Sequence, residues 1–342
     1  MKKILVVLLA LVLALGTFAA LAEGETYDIR VLVWKFDDTY GSSVRKAMDA
    51  AAEDIAEELG ITINLQMYDA ADDMAKQVET ATQLVGEHPD FIIINLAEVA
   101  SGQTLVDMFT EAGIPFLFYN KEPSEETVQS VVVDSGSIFI GTTPREAGDM
   151  QGEILADLWA ADQSIDLNGD GKLQFVEFEG EPNNPEAIAR TQYSEETARE
   201  LGVPLEPALD EYVIVANWDT AQANEKMTAT WAANNNIEVV FVNNDDMGNG
   251  VVAAMRDFGY NTGIEGDPKL TIIGVDATDW ALTAIQNGEI YGTVKQDGDA
   301  MGYANIRVAV NYLQTGTWLD GTDYTLAADG YSVRIPYAKI TE

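Results

Sequence analysis

Short apolar runs alternate with segments of helical periodicity along most of the chain. The run 91–95 is apolar up to its last residue, which is typical of a strand buried on both faces of a parallel sheet. The segment 42–59 instead repeats Val44, Met48 and Ile55 at helical spacing, so it predicts an amphipathic helix. The same criteria predict strands at 29–34, 61–67, 91–95, 115–119, 175–178, 213–215, 239–242, 271–275 and 291–294, and helices at 42–59, 74–85, 103–112, 144–159, 185–201, 221–234, 247–258, 278–287 and 299–315.

The alternation of strands and helices restarts after residue 140, which predicts two domains. Such alternation is typical of an α/β fold, here two doubly wound lobes with parallel sheets. In these sheets the ligand binds beyond the carboxyl ends of the strands, so the polar residues there are candidates for a site. They are Asp37, Asp38, Asn95, Asn120, 180–184, Trp218, Asp219, 243–245, Asp276, Gln296 and Asp297.

The segment 166–174 has the pattern of a calcium-binding loop. Oxygen-bearing side chains occupy loop positions 1, 3, 5 and 9, position 7 offers its carbonyl, and position 6 is a glycine that permits the sharp turn. The predicted ligands are Asp166, Asn168, Asp170, Lys172 through its carbonyl oxygen, and Gln174. The segment 173–178 predicts a strand where an EF-hand would place a helix, although Glu177 falls at loop position 12, the place of the bidentate glutamate.

The first 22 residues predict an export signal. Lys2 and Lys3 precede an apolar stretch over 4–15, and a small-residue cleavage motif ends at Ala22. A membrane anchor is the alternative, but the apolar run is short and no basic cluster follows it. With no cysteine, the chain lacks the lipobox of a lipoprotein and forms no disulfide. We therefore expect a periplasmic protein cleaved after Ala22, with secretion from a single-membrane cell as the alternative.

The amino-acid composition argues against several classes of partner and of active site. The formal charge of −38 repels nucleic acid and anionic lipid, so we expect neither as a partner. A single histidine and no cysteine argue against Ser-His-Asp, Cys-His and zinc sites, and no phosphate-binding glycine loop is present. Paired carboxylates can hydrolyse glycosides, but we expect no enzymatic activity.

The polar residues at the strand ends suit a neutral polyol. Planar carboxylate, amide and guanidinium groups can bridge adjacent hydroxyls, and an aromatic ring can cover the apolar face of a sugar. Asp276 and Asn244 could instead simply cap the helices that follow them. Trp218 has no capping role, so core packing is the main alternative for that residue.

Several strings, in this order, resemble the type I periplasmic sugar-binding family over about residues 28–338. The clearest are 34–38, 94–96, 120–123, the calcium loop, 180–182, 218–223, 237–240, 243–245 and 274–277. The resemblance implies two lobes joined by three crossovers that close on a sugar between them. It implies an N-terminal lobe of 23–121 and 297–328, and a C-terminal lobe of 122–296 and 329–342. It also implies that Glu238 completes a structural calcium site, with Glu177 as the rival.

The resemblance implies a set of sugar ligands in which two aromatic rings, Tyr40 and Trp218, sandwich the sugar. The full set is Asp38, Tyr40, Asn95, Asn184, Glu186, Arg190, Trp218, Asn244, Asp276 and Gln296. The family has phenylalanine, histidine, aspartate and asparagine at positions 40, 184, 186 and 296. The last two changes add one methylene each, which in a cleft that excludes water can leave a polar group unpaired at about 1–3 kcal/mol. A different hexose, a glycoside or a pentose is therefore an alternative to galactose or glucose.

The implied function is a monomeric periplasmic binding protein that delivers a monosaccharide to an ABC importer and can also be read by a chemoreceptor. A ligand sensor that presents its sugar-bound form to a membrane receptor or kinase is the alternative from another class. A sugar-processing enzyme is more distant. A sugar-responsive transcription factor would share the two-lobe fold, but the export signal and the lack of a DNA-binding head argue against it.

Overall fold

The computed structural model describes residues 24–130 and 135–341, so the predicted export signal lies outside the described residues. In that part of the chain the strands are β1 (Thr26–Val33), β2 (Thr62–Asp69), β3 (Phe91–Ile94), β4 (Phe116–Tyr119), β5 (Phe139–Gly141), β6 (Leu173–Glu179), β7 (Leu205–Pro207), β8 (Val213–Val215), β9 (Val239–Val242), β10 (Thr271–Val275), β11 (Gly292–Lys295), β12 (Ser332–Arg334) and β13 (Ala338–Thr341). The α-helices there are α1 (Thr39–Leu59), α2 (Met74–Glu87), α3 (Gly102–Ala112), α4 (Glu125–Ser130), α5 (Pro144–Ala161), α6 (Pro185–Glu200), α7 (Thr220–Ala233), α8 (Asp245–Asp257), α9 (Asp279–Gln286) and α10 (Gly298–Thr315).

The first lobe is built on a six-stranded parallel sheet in the order β12-β5-β4-β3-β1-β2. Alternate side chains of β3 enter different cores, as the apolar run predicts. Phe91 and Ile93 pack in the cluster that holds α1 and α10, whereas Ile92 and Ile94 pack in the cluster that holds α2 and α3. The sheet therefore has helices on both faces, and its strand ends are left for function.

The second lobe is built on a seven-stranded sheet in the order β13-β11-β10-β9-β6-β7, with β8 also paired to β6. Its strands are parallel except for β13, which runs antiparallel to β11. Helices α5 and α6 cover one face, and α7, α8 and α9 cover the other. The predicted α/β fold with two parallel-sheet lobes is confirmed.

Three segments connect the lobes: 142–143 between β5 and α5, 296–297 between β11 and α10, and 335–337 between β12 and β13. The predicted lobe boundaries at 121/122 and 328/329 are wrong, because they assign strands β5 and β12 to the second lobe. Both β5 and β12 pair within the first sheet, so the first lobe extends to Gly141 and through Arg334. Each of these strands has only three residues, which is too short to show a hydrophobic period in the sequence.

Side-chain caps determine where several helices begin. Helix α1 starts at Thr39, three residues before its predicted start at 42, because the carboxylate of Asp38 accepts the backbone N–H of Gly41. Asn184, Asn244 and Asp297 cap α6, α8 and α10 in the same way. Within the described ranges no helix combines the length and apolarity that crossing a membrane would require.

Candidate ligand-binding cleft and calcium loop

A cleft lies between the lobes at the carboxyl ends of both sheets. Its empty space, including the open mouth, is about 420 Å³. The structure brings together every predicted sugar ligand except Asn95, and it adds three residues outside the predicted set. The lining is Trp34, Asp38, Tyr40, Asn120, Lys121, Asn184, Glu186, Arg190, Trp218, Asn244, Asp276 and Gln296.

Helix caps supply three of the polar side chains in the cleft. Asn184 accepts the N–H of Glu186 at 2.9 Å, and Asn244 accepts the N–H of Met247 at 3.0 Å. Asp38 accepts the N–H of Gly41 through Oδ1. Capping and cleft lining, the two alternatives for such residues, therefore occur together. The cap fixes the position of the side chain in the cleft lining before any ligand arrives.

Two aromatic side chains come from opposite lobes. Tyr40 and Trp218 are each 8% exposed and both line the cleft. The Tyr40 hydroxyl donates to Sδ of Met301 at 3.4 Å, whereas buried Nε1 of Trp218 has no hydrogen-bond partner among the described residues. The indole packs on Gly180 so closely that a Cβ there would lie 2.2 Å from the ring. Gly180 is thus required for the position of Trp218.

Arg190 is the central cation of the cleft. Its Nη1 donates to the carbonyl of Asn243 at 2.7 Å, and its Nη2 donates to Oε1 of Gln296 and to the Tyr337 hydroxyl, both at 2.9 Å. Its Nε is buried without a partner in the described part of the chain. A buried donor with no acceptor is costly, so a ligand oxygen here would remove a penalty as well as form a bond.

The two side chains that are one methylene longer than the family pattern are both satisfied by the protein. Oε1 of Glu186 accepts from the Thr142 hydroxyl at 2.7 Å, and Oε2 accepts from the Tyr337 hydroxyl at 3.0 Å. The amide of Gln296 donates to Oδ1 of Asn120 at 3.2 Å. Thr142, Gln296 and Tyr337 belong to the three connecting segments, so the cleft and the hinge share one hydrogen-bond network.

Buried carboxylates provide hydrogen-bond acceptors. Burial raises the pKa of Asp276 well above its usual range, opposed by the charge of Arg190 and reinforced by Asp245. Nη1 of Arg190 lies 3.9 Å from Oδ1 of Asp276, longer than a hydrogen bond, so the carboxylate remains open to ligand hydroxyls. Burial likewise raises the pKa of Asp245 to about 7, although Thr278 and Thr293 donate hydrogen bonds to it.

Asn95 is not part of the cleft lining. Its carbonyl accepts from Nε2 of Gln77 at 2.8 Å, and its side chain accepts from the N–H of Lys121 at 3.4 Å. It therefore supports the loop after β4. Asn120 in that loop lines the cleft, with a φ of 63° that turns it away from the strand direction. Both asparagines end a strand, and strand-end position alone did not distinguish them.

Lys121 and Trp34 are cleft residues that the predicted set omits. The Lys121 ammonium lies 3.9 Å from the centre of the Trp34 ring and 2.9 Å from a Glu181 carboxylate oxygen, and it donates to the Ala97 carbonyl at 3.1 Å. Glu181 belongs to the second lobe, so this ion pair spans the cleft. Trp34 is the first residue after β1 and Lys121 the second after β4, and this strand-end position is the signal that could have identified them.

The loop 166–174 folds around its predicted oxygen ligands. Asp166 accepts backbone N–H groups from Gly169, Asp170 and Gly171 at 2.7 to 3.2 Å, and both glycines have the positive φ that such a turn requires. Asn168 and Asp170 accept the N–H groups of residues 170 and 172 at 2.8 and 2.9 Å. The tight turn therefore points carboxylate and amide groups inward.

Glu238 lies against this loop and Glu177 does not. Oε1 of Glu238 accepts the N–H of Leu167 at 2.6 Å, and Oε2 accepts that of Gln174 at 3.1 Å. Glu177 is fully buried and accepts from the Ser194 hydroxyl at 2.8 Å on α6. Over residues 24–130 and 135–341, no group of three or more His, Cys, Asp or Glu side chains is arranged to hold a metal ion. A metal here would depend also on amide and carbonyl oxygens, a donor set that suits calcium.

Comparison with known proteins identifies the family. The model of the periplasmic binding protein domain matches residues 29–317. The chain belongs to the periplasmic binding protein family, and the predicted resemblance to its type I sugar-binding members is confirmed. Export to the periplasm follows from that family, whereas the predicted cleavage site lies outside the described residues.

Individual relatives agree with this family. The chain is 33% identical to the D-galactose/methyl-galactoside binding periplasmic protein MglB of Haemophilus influenzae, covering 99% of this chain and 97% of that protein. It is 21% identical to the ribose import binding protein RbsB of Bacillus subtilis, over 88% and 90% of the two chains. An ABC transporter solute binding protein from Bacillus halodurans, solved with bound myo-inositol, shares the fold with a TM-score of 0.73 at 24% identity, over 94% and 96% of the chains.

Proposed function

We propose that the protein binds one monosaccharide, galactose or glucose in type, and delivers it to an ABC importer. The observation that carries the proposal is the combination of aromatic rings from opposite lobes with buried, unpartnered donors on Trp218 and Arg190. A sugar offers apolar C–H faces to the rings and hydroxyl oxygens to the donors. The likeness to a galactose-binding relative supports the same ligand class.

Closure would follow from the division of the site between the lobes. Asn184, Glu186, Arg190, Trp218, Asn244 and Asp276 belong to the second lobe and can receive the sugar first. The first lobe then adds Tyr40, Asp38 and Asn120, so the sugar stabilises the closed form by making contacts that the open form lacks. The importer would read the closed form.

A thermal-shift panel tests the ligand class. A ligand that binds only the folded protein stabilises it by about 2.7 kcal/mol at a hundred times its Kd. We expect galactose or glucose to raise the melting temperature of the mature protein. If ribose or xylose does so and neither hexose does, the cleft is a pentose site. If no sugar in the panel shifts the melting temperature of the folded protein, the proposal is wrong.

We propose further that the loop holds a structural Ca²⁺ through Asp166, Asn168, Asp170, the Lys172 carbonyl, Gln174 and Glu238. The ion would neutralise the carboxylates and tie β6 to the segment before β9, far from the sugar. Removing calcium with a chelator should lower the melting temperature, and Glu238→Gln should abolish the difference between chelated and calcium-loaded protein. The equivalent change Glu206→Gln, in an exposed pair with Lys172, is the control and should leave that difference intact. No effect of chelation on calcium-loaded protein would refute the metal site.

A further inference from the structure

Tyr337 is a buried residue that contacts the cleft lining without being part of it. It lies in the segment 335–337 that joins β12 to β13. Its ring packs in the core of the second lobe, in the cluster that holds α5 and α6. The side chains that line the cleft include neither Tyr337 nor Thr142. Tyr337 can therefore affect a sugar in the cleft only through another residue.

The Tyr337 hydroxyl bridges two charged groups of α6. It accepts a hydrogen bond from Nη2 of Arg190 at 2.9 Å. Its one proton can go to Oε2 of Glu186 or to Oγ1 of Thr142, both 3.0 Å away, and the carboxylate is the stronger acceptor because it is charged. The direct contact from Nη2 of Arg190 to Oε2 of Glu186 is 3.4 Å. Charge-assisted bonds of this kind are normally about 2.7–2.9 Å long, so the direct bond is weak and the hydroxyl makes the shorter contact with each partner.

This arrangement leaves one donor of Arg190 for a ligand. Nη1 donates to the carbonyl of Asn243, and Nη2 donates to Gln296 and to Tyr337. Nε is buried without a partner in the described part of the chain. Arginine and carboxylate side chains commonly pair through two parallel N–H···O bonds. A guanidinium that turned to pair with Glu186 in this way would move Nε from the position it has here.

We propose that Tyr337 sets the sugar affinity as a positioning residue, because its hydroxyl keeps Arg190 from pairing directly with Glu186 and so leaves Nε available to a sugar oxygen. This inference rests on the proposed function, since it requires a sugar in the cleft. It extends that function by giving a role in recognition to a residue that the sugar does not touch.

Calorimetric titration of Tyr337→Phe tests this role. The variant keeps the ring that packs in the core and removes only the bridging hydroxyl. We expect the Kd for whichever of galactose and glucose the wild type binds to rise about tenfold or more, the value of one hydrogen bond to a charged group. Tyr212→Phe is the matched control, because Tyr212 also donates to a glutamate of α6, Oε1 of Glu195 at 2.7 Å, and lies outside the cleft lining. The control should change Kd by less than about twofold.

A double-mutant cycle separates positioning from a purely structural role. In Glu186→Gln the carboxylate that competes for Arg190 is absent, so the further change Tyr337→Phe should raise Kd by less than about threefold. A structural role would instead lower the melting temperature of the sugar-free protein and cost the same factor in Kd in both backgrounds.

The outcomes distinguish this role from the proposed function. If Tyr337→Phe binds the sugar with wild-type affinity, the positioning role is refuted and the sugar site stands. The same conclusion follows if Tyr337→Phe raises Kd by equal factors in the wild type and in Glu186→Gln. If the wild type binds neither galactose nor glucose, the proposed function fails, and this inference fails with it.

Discussion

The ion pair between Lys121 and Glu181 joins the lobes across the cleft and should contribute to closure. The side chain of Lys121 is 3% exposed and that of Glu181 26% exposed, with 2.9 Å between charged atoms. Burial lowers the pKa of Lys121, and Glu181 opposes that effect. In Glu181→Gln the buried ammonium would lose its anionic partner and keep only neutral direct contacts: the Ala97 carbonyl, the Trp34 ring and an amide oxygen.

The cost should fall on the closed form, because the open form lets water reach Lys121. Removing one partner of a fully buried pair costs about 3–5 kcal/mol, and an exposed pair contributes about 0–1 kcal/mol. Since Glu181 keeps partial contact with solvent, we place the loss at about 1–2 kcal/mol. At 1.4 kcal/mol per factor of ten, the sugar Kd should rise about five- to thirtyfold.

Isothermal titration with the sugar identified by the thermal-shift panel measures that change. Glu206→Gln is the matched control, because it breaks a pair of the same 2.9 Å length whose side chains are 51% and 46% exposed. The control should alter Kd by less than about twofold. If Glu181→Gln changes Kd no more than the control does, the ion pair does not stabilise the closed form and the reasoning is wrong.

Three further predictions concern the second lobe. Burial raises the pKa of Glu177 well above 4.5, so the folded protein binds that proton more tightly than the unfolded chain and loses stability as pH rises past 4.5. Glu177→Gln should therefore raise the melting temperature at pH 7 and make the melting temperature depend less on pH. A lower melting temperature at pH 7 would contradict this reasoning. Gly180→Ala should displace Trp218, lowering the melting temperature and abolishing measurable sugar binding; wild-type affinity would show that the indole tolerates a Cβ. Glu186→Asp should lose the bond to Tyr337, and a change in the ratio of hexose to pentose Kd would show that this side chain sets specificity, whereas an unchanged ratio would exclude it.

The fold could be predicted because its central strands carry their own signal. Strands such as β3 and β9 are buried on both faces, so the sequence is continuously apolar there. The three-residue β5 and β12 have no such run and are defined by pairing with each other across nearly 200 residues of sequence. That pairing exists only in the tertiary structure, and two lobe boundaries were misplaced because the sequence pattern does not show it.

The sequence predicted which residues form the site better than it predicted how their side chains are arranged. Strand-end position and family pattern located Trp218, Arg190 and Asp276 correctly in the cleft. They did not distinguish Asn95 from Asn120, because both follow a strand, and only the structure shows that Asn120 has a left-handed φ and lines the cleft. They also did not show that the longer Glu186 reaches the connecting segments, since that requires the position of Tyr337.

Titration of galactose and glucose into the mature protein and into Trp218→Ala shows whether the cleft binds a sugar. We expect one site per chain for at least one of these sugars in the wild type and loss of that binding in the variant, with both proteins folded. Absence of binding by either sugar and by ribose and xylose would contradict the sugar site. Equal binding by Trp218→Ala would place the sugar somewhere other than this cleft.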